Sequence, residues 1–199
     1  MTRRPDLGLI GAAACRALVV VAVVLSAAIS STEAEEPDAL WAALRAGSAF
    51  AMMRHALAPG IGDPVNFDVN DCATQRNLSE DGRRQAAAVG DRFRDHGIGG
   101  ATVMSSAWCR CLETAEELAL GPVAVLPALN SFFRDPQRRE AQTAALQAWL
   151  SREHGGKPLI LVTHQVNISA LTGAYTRSGE IVVAKLATDG AITVLGILQ

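Results

Sequence analysis

The chain has 199 residues, of which 49% are hydrophobic and 19% charged, and its formal net charge is −2. It carries no basic excess and no Lys/Arg block to hold nucleic acid or coat an anionic membrane surface, so any bound anion must be held by a local cluster of cations. Its mean hydropathy of +0.19 is high for a soluble domain, and most of that excess sits in the N-terminal segment.

Arg3, Arg4 and Arg16 precede an unbroken run of small and apolar residues from Ala17 to Ile29, which gives way to an acidic stretch. This pattern predicts a signal peptide over residues 1–30, with Ser26-Ala27-Ala28 or Thr32-Glu33-Ala34 as cleavage sites, and therefore an exported protein, periplasmic or secreted. The alternative is an uncleaved N-terminal anchor, the one contact with a membrane that the sequence suggests. Arg16 shortens the apolar run well below the roughly 20 residues that span a bilayer. Removing the leader takes away Arg3, Arg4, Arg16 and Asp6 and leaves a net charge of about −4.

Pro37-Asp38 opens a short helix through Arg45, and Ala46-Gly47 ends it before a strand over residues 48–53. Residues 56–77 carry Pro59, Gly60, Gly62, Asp63, Pro64, Asn66 and Asn70 without apolar periodicity, which predicts a long loop, and loops of that length in a compact domain tend to be functional. Ser79 caps a helix whose first turn holds Glu80 and Asp81, whose buried face is Ala86, Val89 and Phe93, and which ends at His96-Gly97. A strand from Thr102 gives way at Ser105-Ser106 to a helix through Leu120, and Val123–Leu126 forms a short strand. After the loop Asn130–Pro136 comes an Ala-rich helix to about Glu153, then a strand over 159–163, a helix from Gln165 to Leu171, and strands 181–187 and 191–197 joined by Thr188-Asp189-Gly190. Strands alternating with helices predict an α/β fold with a mainly parallel sheet covered on both faces, and the last hairpin adds an antiparallel edge.

Beyond the leader the cysteines are Cys72, Cys109 and Cys111. In an oxidising compartment Cys72 pairs with Cys109 or with Cys111, since cysteines two apart rarely meet disulfide geometry. The alternative is three buried thiols. Cys-x-Cys without a matching His pair argues against zinc.

The four histidines divide by position. His96 and His154 end helices just before Gly, where a cation complements the helix dipole. His55 and His164 end buried strands, at the carboxyl rim where α/β proteins place their chemistry. Arg54 stands beside His55. Arg110 falls in the first turn of the helix after Ser105-Ser106, where it repels the dipole unless an anion is present. Two guanidinium forks and two imidazoles suit a phosphate. A neutral His55 can attack phosphorus while Arg54, Arg110 and His164 hold the oxygens, and water then releases phosphate from the phosphohistidine. No cofactor or metal is called for, and no carboxylate cluster of the two-metal kind is present.

These segments resemble the histidine phosphatase superfamily, also called phosphoglycerate-mutase-like. Met53-Arg54-His55-Ala56 is similar to its Arg-His-Gly signature, and Asn77–Ala86 to its Leu-Ser, Gly and Gln-Ala segment. Ser105–Ala115 is similar to its Ser-Ser, Arg and Thr-Ala element, and Val162-Thr163-His164 to its second-histidine strand end. The resemblance implies a three-layer αβα sandwich over a domain of residues 36–199, with His55 as the phosphorylated residue and Arg54, Arg110 and His164 as the phosphate pocket. Ala56 stands where Gly is usual, which suggests negative φ at that position. Relatives with a helical cap carry Glu after the second arginine, whereas here the stretch reads Leu129-Asn130-Ser131. Asp135, four residues on, is the candidate acid, with capping of the helix before Pro136 as its alternative role. The expected function is hydrolysis of a small phosphorylated substrate in the cell envelope. The alternatives are a phosphomutase and a protein that binds a phosphorylated ligand without turnover. Nothing in the sequence sets the oligomeric state.

Overall fold

The computed structural model describes residues 37–152 and 156–199. The leader and His154 lie outside these residues. Helix α1 (Pro37–Arg45) leads into β1 (Phe50–Arg54), and after the long loop come α2 (Glu80–Asp95), β2 (Thr102–Ser105), α3 (Cys109–Glu117) and β3 (Val123–Val125). Two 3-10 turns, Pro127–Leu129 and Pro136–Arg138, then precede α4 (Arg139–Leu150), β4 (Leu159–Thr163), α5 (Gln165–Thr172), β5 (Ile181–Leu186) and β6 (Ile192–Leu198).

The strands form one sheet in the order β3-β2-β4-β1-β5-β6. β1, β2, β3 and β4 run parallel, while β5 and β6 supply an antiparallel side. Strand side chains alternate between faces, so each central strand feeds two cores. Ala51, Met53, Ile160, Val162, Ile181 and Val183 pack under α1, α2 and α3, against Leu40, Trp41, Val89, Phe93, Ala115 and Leu118. Phe50, Met52, Leu159, Leu161, Val182 and Ala184 pack under α4 and α5, against Leu146, Leu150, Ile168 and Leu171. This is the three-layer αβα sandwich expected from the sequence. Each buried aliphatic chain contributes roughly 1.5–3 kcal/mol.

Helix boundaries follow local chemistry. Ser79 Oγ accepts from Gly82 N at 3.1 Å and caps α2. α3 stops at Glu117, short of Leu120, because Ala119 turns to φ 52° and the Leu118 carbonyl accepts instead from Arg94 Nη1 at 2.9 Å. At the site end of the sheet, Arg54 pairs with Thr163 and Ser105 with Val162. One residue further the ladder persists, with His55 N donating to Thr163 O and Ser106 N to Val162 O, each at 3.0 Å. The carboxyl ends of β1, β4 and β2 therefore lie side by side.

Candidate active site

The residues that follow these three strand ends face one cavity of about 580 Å³, which Arg54, His55, Arg110, Asp135 and His164 all help to line. His55 is buried, and its Nδ1 lies 2.8 Å from the Ala56 carbonyl oxygen. A carbonyl only accepts, so the proton sits on Nδ1 and the Nε2 lone pair is left for an electrophile. Burial, then the charge of Arg110, with Arg76 and Arg54 adding to it, push His55 down to about 3 against the opposing effect of the Ala56 bond. His55 is a neutral imidazole at any physiological pH.

The backbone that holds it is tied to both neighbouring helices. Ala56 N donates to Thr114 Oγ1 at 3.0 Å, and Thr114 Oγ1 donates to Arg110 O at 2.6 Å, which joins the segment to α3. Ser79 N donates to Leu57 O at 3.0 Å, and a Cβ at Gly82 would meet that same oxygen at 2.1 Å, so α2 approaches the segment closely only because residue 82 is glycine. Ala56 needs no left-handed backbone, since among the described residues the non-glycine with positive φ is Ala119.

Arg110 is buried and forms a two-armed contact with Asp63, Nη1 to Oδ1 at 2.6 Å and Nη2 to Oδ2 at 3.3 Å. Burial works to raise the Asp63 pKa, but the bond and charge of Arg110, then the bond from Trp108, hold it below the usual carboxylate value. Arg110 Nη2 also lies 3.4 Å from His164 Nδ1. A guanidinium has no acceptor, so this contact needs a lone pair on Nδ1, and His164 Nε2 then donates to Ser106 Oγ at 2.9 Å. Ser106 Oγ in turn donates to Asn130 Oδ1 at 3.3 Å. Burial and then Arg110 push His164 well below its ordinary value. The two imidazoles lie 5.5 Å apart, centre to centre.

Arg54 Nη1 donates to Thr176 O at 2.9 Å, while the buried Nε atoms of Arg54 and Arg110 have no hydrogen-bond partner among the described residues. Buried donors are nearly always satisfied, so these two mark where an acceptor belongs. Arg76, also on the cavity wall, has its pKa lowered by burial and then by Arg110. Crowded cations of this kind relax when an anion enters.

Asp63, Arg76 and Trp108 were not singled out by sequence reasoning. Asp63 reads there as a turn residue between Gly62 and Pro64. Here its carboxylate accepts from Arg110, from Trp108 Nε1 at 3.0 Å and from Arg76 N at 3.2 Å. Arg76 Nε donates to Gly62 O at 2.8 Å, and its Nη1 to Ala58 O. The available signal was an Arg four residues after Cys72 in a loop without periodicity. Cys72 is bonded to Cys109 with a Cα separation of 5.7 Å, which stitches this loop to the start of α3. Gln75 Oε1 accepts from Cys109 N at 3.0 Å and so caps α3, whose N-cap residue Trp108 makes no side-chain cap bond.

Cys111 is free and buried, its Sγ 3.4 Å from His164 Nε2. Burial pushes its thiol up to about 12, so it supplies no thiolate nucleophile. Asp135 occupies the N-cap position of the turn Pro136–Arg138 yet makes no side-chain cap bond. Its alternative role, capping before Pro136, is therefore not what the structure holds. His96 lies elsewhere, as the C-cap of α2, stacked on Trp41 at 4.3 Å. Among the described residues no group of three or more His, Cys, Asp or Glu is placed to hold a metal ion.

No curated protein sequence matches the chain. Solved structures of similar fold include the protein histidine phosphatase SixA complexed with tungstate, 18% identical with a TM-score of 0.54, covering 76% of this chain and 96% of that one. A mycobacterial glucosyl-3-phosphoglycerate phosphatase is 16% identical with a TM-score of 0.55, over 74% of this chain and 96% of that one. A phosphoserine phosphatase mutant from Entamoeba histolytica, in complex with phosphoserine, is 12% identical with a TM-score of 0.52, over 75% and 95%. At these identities the likeness is one of fold. Residues 52–133 match the family model described as histidine phosphatase superfamily (branch 1), a span running from the middle of β1 through α3 to Phe133. With that match over residues 52–133, this fold and the two imidazoles set among arginines at the sheet's carboxyl rim, the chain is similar to the histidine phosphatase superfamily.

Proposed function

We propose that this protein is a phosphomonoesterase acting through a phosphohistidine on His55. The observation that carries the reading is the neutral His55 imidazole, its one ring proton held on Nδ1 by the Ala56 carbonyl, in a cavity lined by Arg54, Arg76 and Arg110. The substrate phosphate lies on these arginines and satisfies the two orphaned Nε donors. His55 Nε2 attacks phosphorus, the P–O bond to the alcohol breaks, and the departing oxygen takes its proton from Asp135. Water then attacks the phosphohistidine and gives a proton back to Asp135. The N–P bond breaks, and the electron pair returns to Nε2.

Burial, and then the repulsion of Arg110, keep His164 neutral in the free protein. A phosphate dianion offsets that repulsion, so His164 takes up a proton as substrate binds and neutralises a further oxygen. Asp63, held ionised on Arg110, keeps the guanidinium fork in place. Neither role calls for a cofactor or metal. The disulfide supports an oxidising compartment, and with the N-terminal pattern it favours export to the cell envelope.

The test is release of phosphate from p-nitrophenyl phosphate, with acid-labile phosphate trapped on the protein. His55→Ala abolishes both. A His55→Ala protein with full activity would overturn the reading. Asp135→Asn slows alkyl phosphates about 100-fold and p-nitrophenyl phosphate far less, because only a poor leaving group needs the proton. Equal losses on both substrates would remove Asp135 as the acid.

A further inference from the structure

Three large apolar side chains stand in water around the cavity. Ile61, Phe133 and Tyr175 are 93%, 56% and 74% exposed, and each lines it. They come from separate segments: the turn Gly60–Gly62, the loop after the Pro127–Leu129 turn, and the stretch between α5 and β5. Ile61 sits between two glycines with φ of 94° and 70°, which turn the chain sharply on either side of it. The first two segments meet, since a Cβ at Gly62 would lie 3.9 Å from Phe133 Cε1. Arg134 Nη2 joins them further by donating to Asp63 O and, at 2.9 Å, to Pro64 O. Phe67, stacked on Trp108 with 5.1 Å between ring centres, extends the apolar surface along the same wall.

A single exposed apolar residue is ordinary, whereas several converging on one concave site mark a ligand groove. The cavity thus combines arginines with an apolar wall. Resting on the phosphatase reading of this site, we infer that the substrate is the phosphate monoester of an apolar alcohol, aryl or alkyl. Its phosphate lies on Arg54, Arg76 and Arg110, and its hydrocarbon lies against Ile61, Phe133 and Tyr175. A sugar or polyol phosphate sets hydroxyls against these faces and loses their hydration without replacement.

Calorimetric titration of ethyl-, butyl- and hexylphosphonic acid into the protein tests this, because a P–C bond is not hydrolysed and binding is read whatever the turnover. The expected Kd falls about tenfold or more from ethyl to hexyl as methylenes leave water. Ile61→Ser, Phe133→Ser and Tyr175→Ser each shrink the ethyl-to-hexyl ratio, and since all three side chains are exposed, folding is not at stake. Equal Kd values for ethyl and hexyl, or glycerol phosphate binding more tightly than hexylphosphonic acid, overturn the inference. Turnover of p-nitrophenyl phosphate with a flat chain-length series removes the apolar substrate and keeps the phosphatase. A steep series without turnover does the reverse.

Discussion

The cavity is built from two regions held by different means. At the rim, Arg54 ends β1 and His55, Ser106 and His164 follow strands whose parallel ladder fixes them through backbone bonds, with β1 buried along most of its length and β4 throughout. On the wall, residues 56–77 contain one 3-10 turn, Cys72–Thr74, and are held mostly by side chains: Asp63 on Arg110, Arg76 on the Ala58 and Gly62 carbonyls, Gln75 on α3, and one disulfide. A ladder spreads its strength over many equivalent bonds, so one substitution seldom shifts it. The wall depends on a few unlike contacts, each open to removal by a single change.

The Arg110–Asp63 pair is where the two regions join, and breaking it has the largest expected effect. Arg110→Ala leaves the part-buried Asp63 carboxylate with Trp108 Nε1 and Arg76 N but without its charged partner, which costs about 1–3 kcal/mol. It also removes a phosphate ligand, so kcat/KM falls roughly 1,000-fold. Adding Asp63→Asn returns most of the stability, read by chemical denaturation, and none of the activity. If the double variant is no more stable than Arg110→Ala alone, the pair is not what binds wall to rim.

That division also sets what was legible in the sequence. Buried strands read as apolar runs, and Arg54-His55 and His164 stand out as polar residues at their ends. Ser79 before Glu80-Asp81 gives the start of α2 from cap chemistry alone. The wall has no such period. Asp63 and Arg76 are 13 residues apart, and their contact with each other and with Arg110 depends on a chain path set by the Gly60 and Gly62 turns and by the choice of Cys109 over Cys111. Gly82 was legible as part of a motif, but its reason, the approach of Leu57 O, is a tertiary contact. The exposed ring of Ile61, Phe133 and Tyr175 could not be read either, because an isolated apolar residue in a loop carries no signal of its exposure.

Removing the disulfide sharpens the comparison from the wall side. Cys72 and Cys109 are 37 residues apart, and cross-linking a loop of that size constrains the unfolded chain by roughly 4 kcal/mol. The Cys72→Ser/Cys109→Ser variant loses about that much in denaturation. It also binds phosphate more weakly, because the loop carrying Asp63 and Arg76 is released from α3, while its far-UV circular dichroism stays that of the intact sheet. Unchanged phosphate affinity in this variant would mean that the wall holds its shape without the bridge.

The smallest effect separates the regions by pH. His55 has an ordinary pKa near 6.5 when unfolded and about 3 when folded, so below 6.5 the unfolded chain binds a proton that the native state refuses. The stability this neutral imidazole represents is fully present above pH 6.5 and is lost as pH falls from 6.5 toward 3. Between pH 7 and pH 5 the loss is about 2 kcal/mol for His55, and His164, shifted in the same direction, adds to it. Asp63 titrates at the acid end: its lowered pKa preserves stability above the usual carboxylate range and gives it up only as pH falls further. The rim therefore weakens first on acidification and the wall later. Denaturation midpoints at pH 7 and pH 5 check this: His55→Asn removes about half of the drop over that interval, and Asp63→Asn leaves it nearly intact.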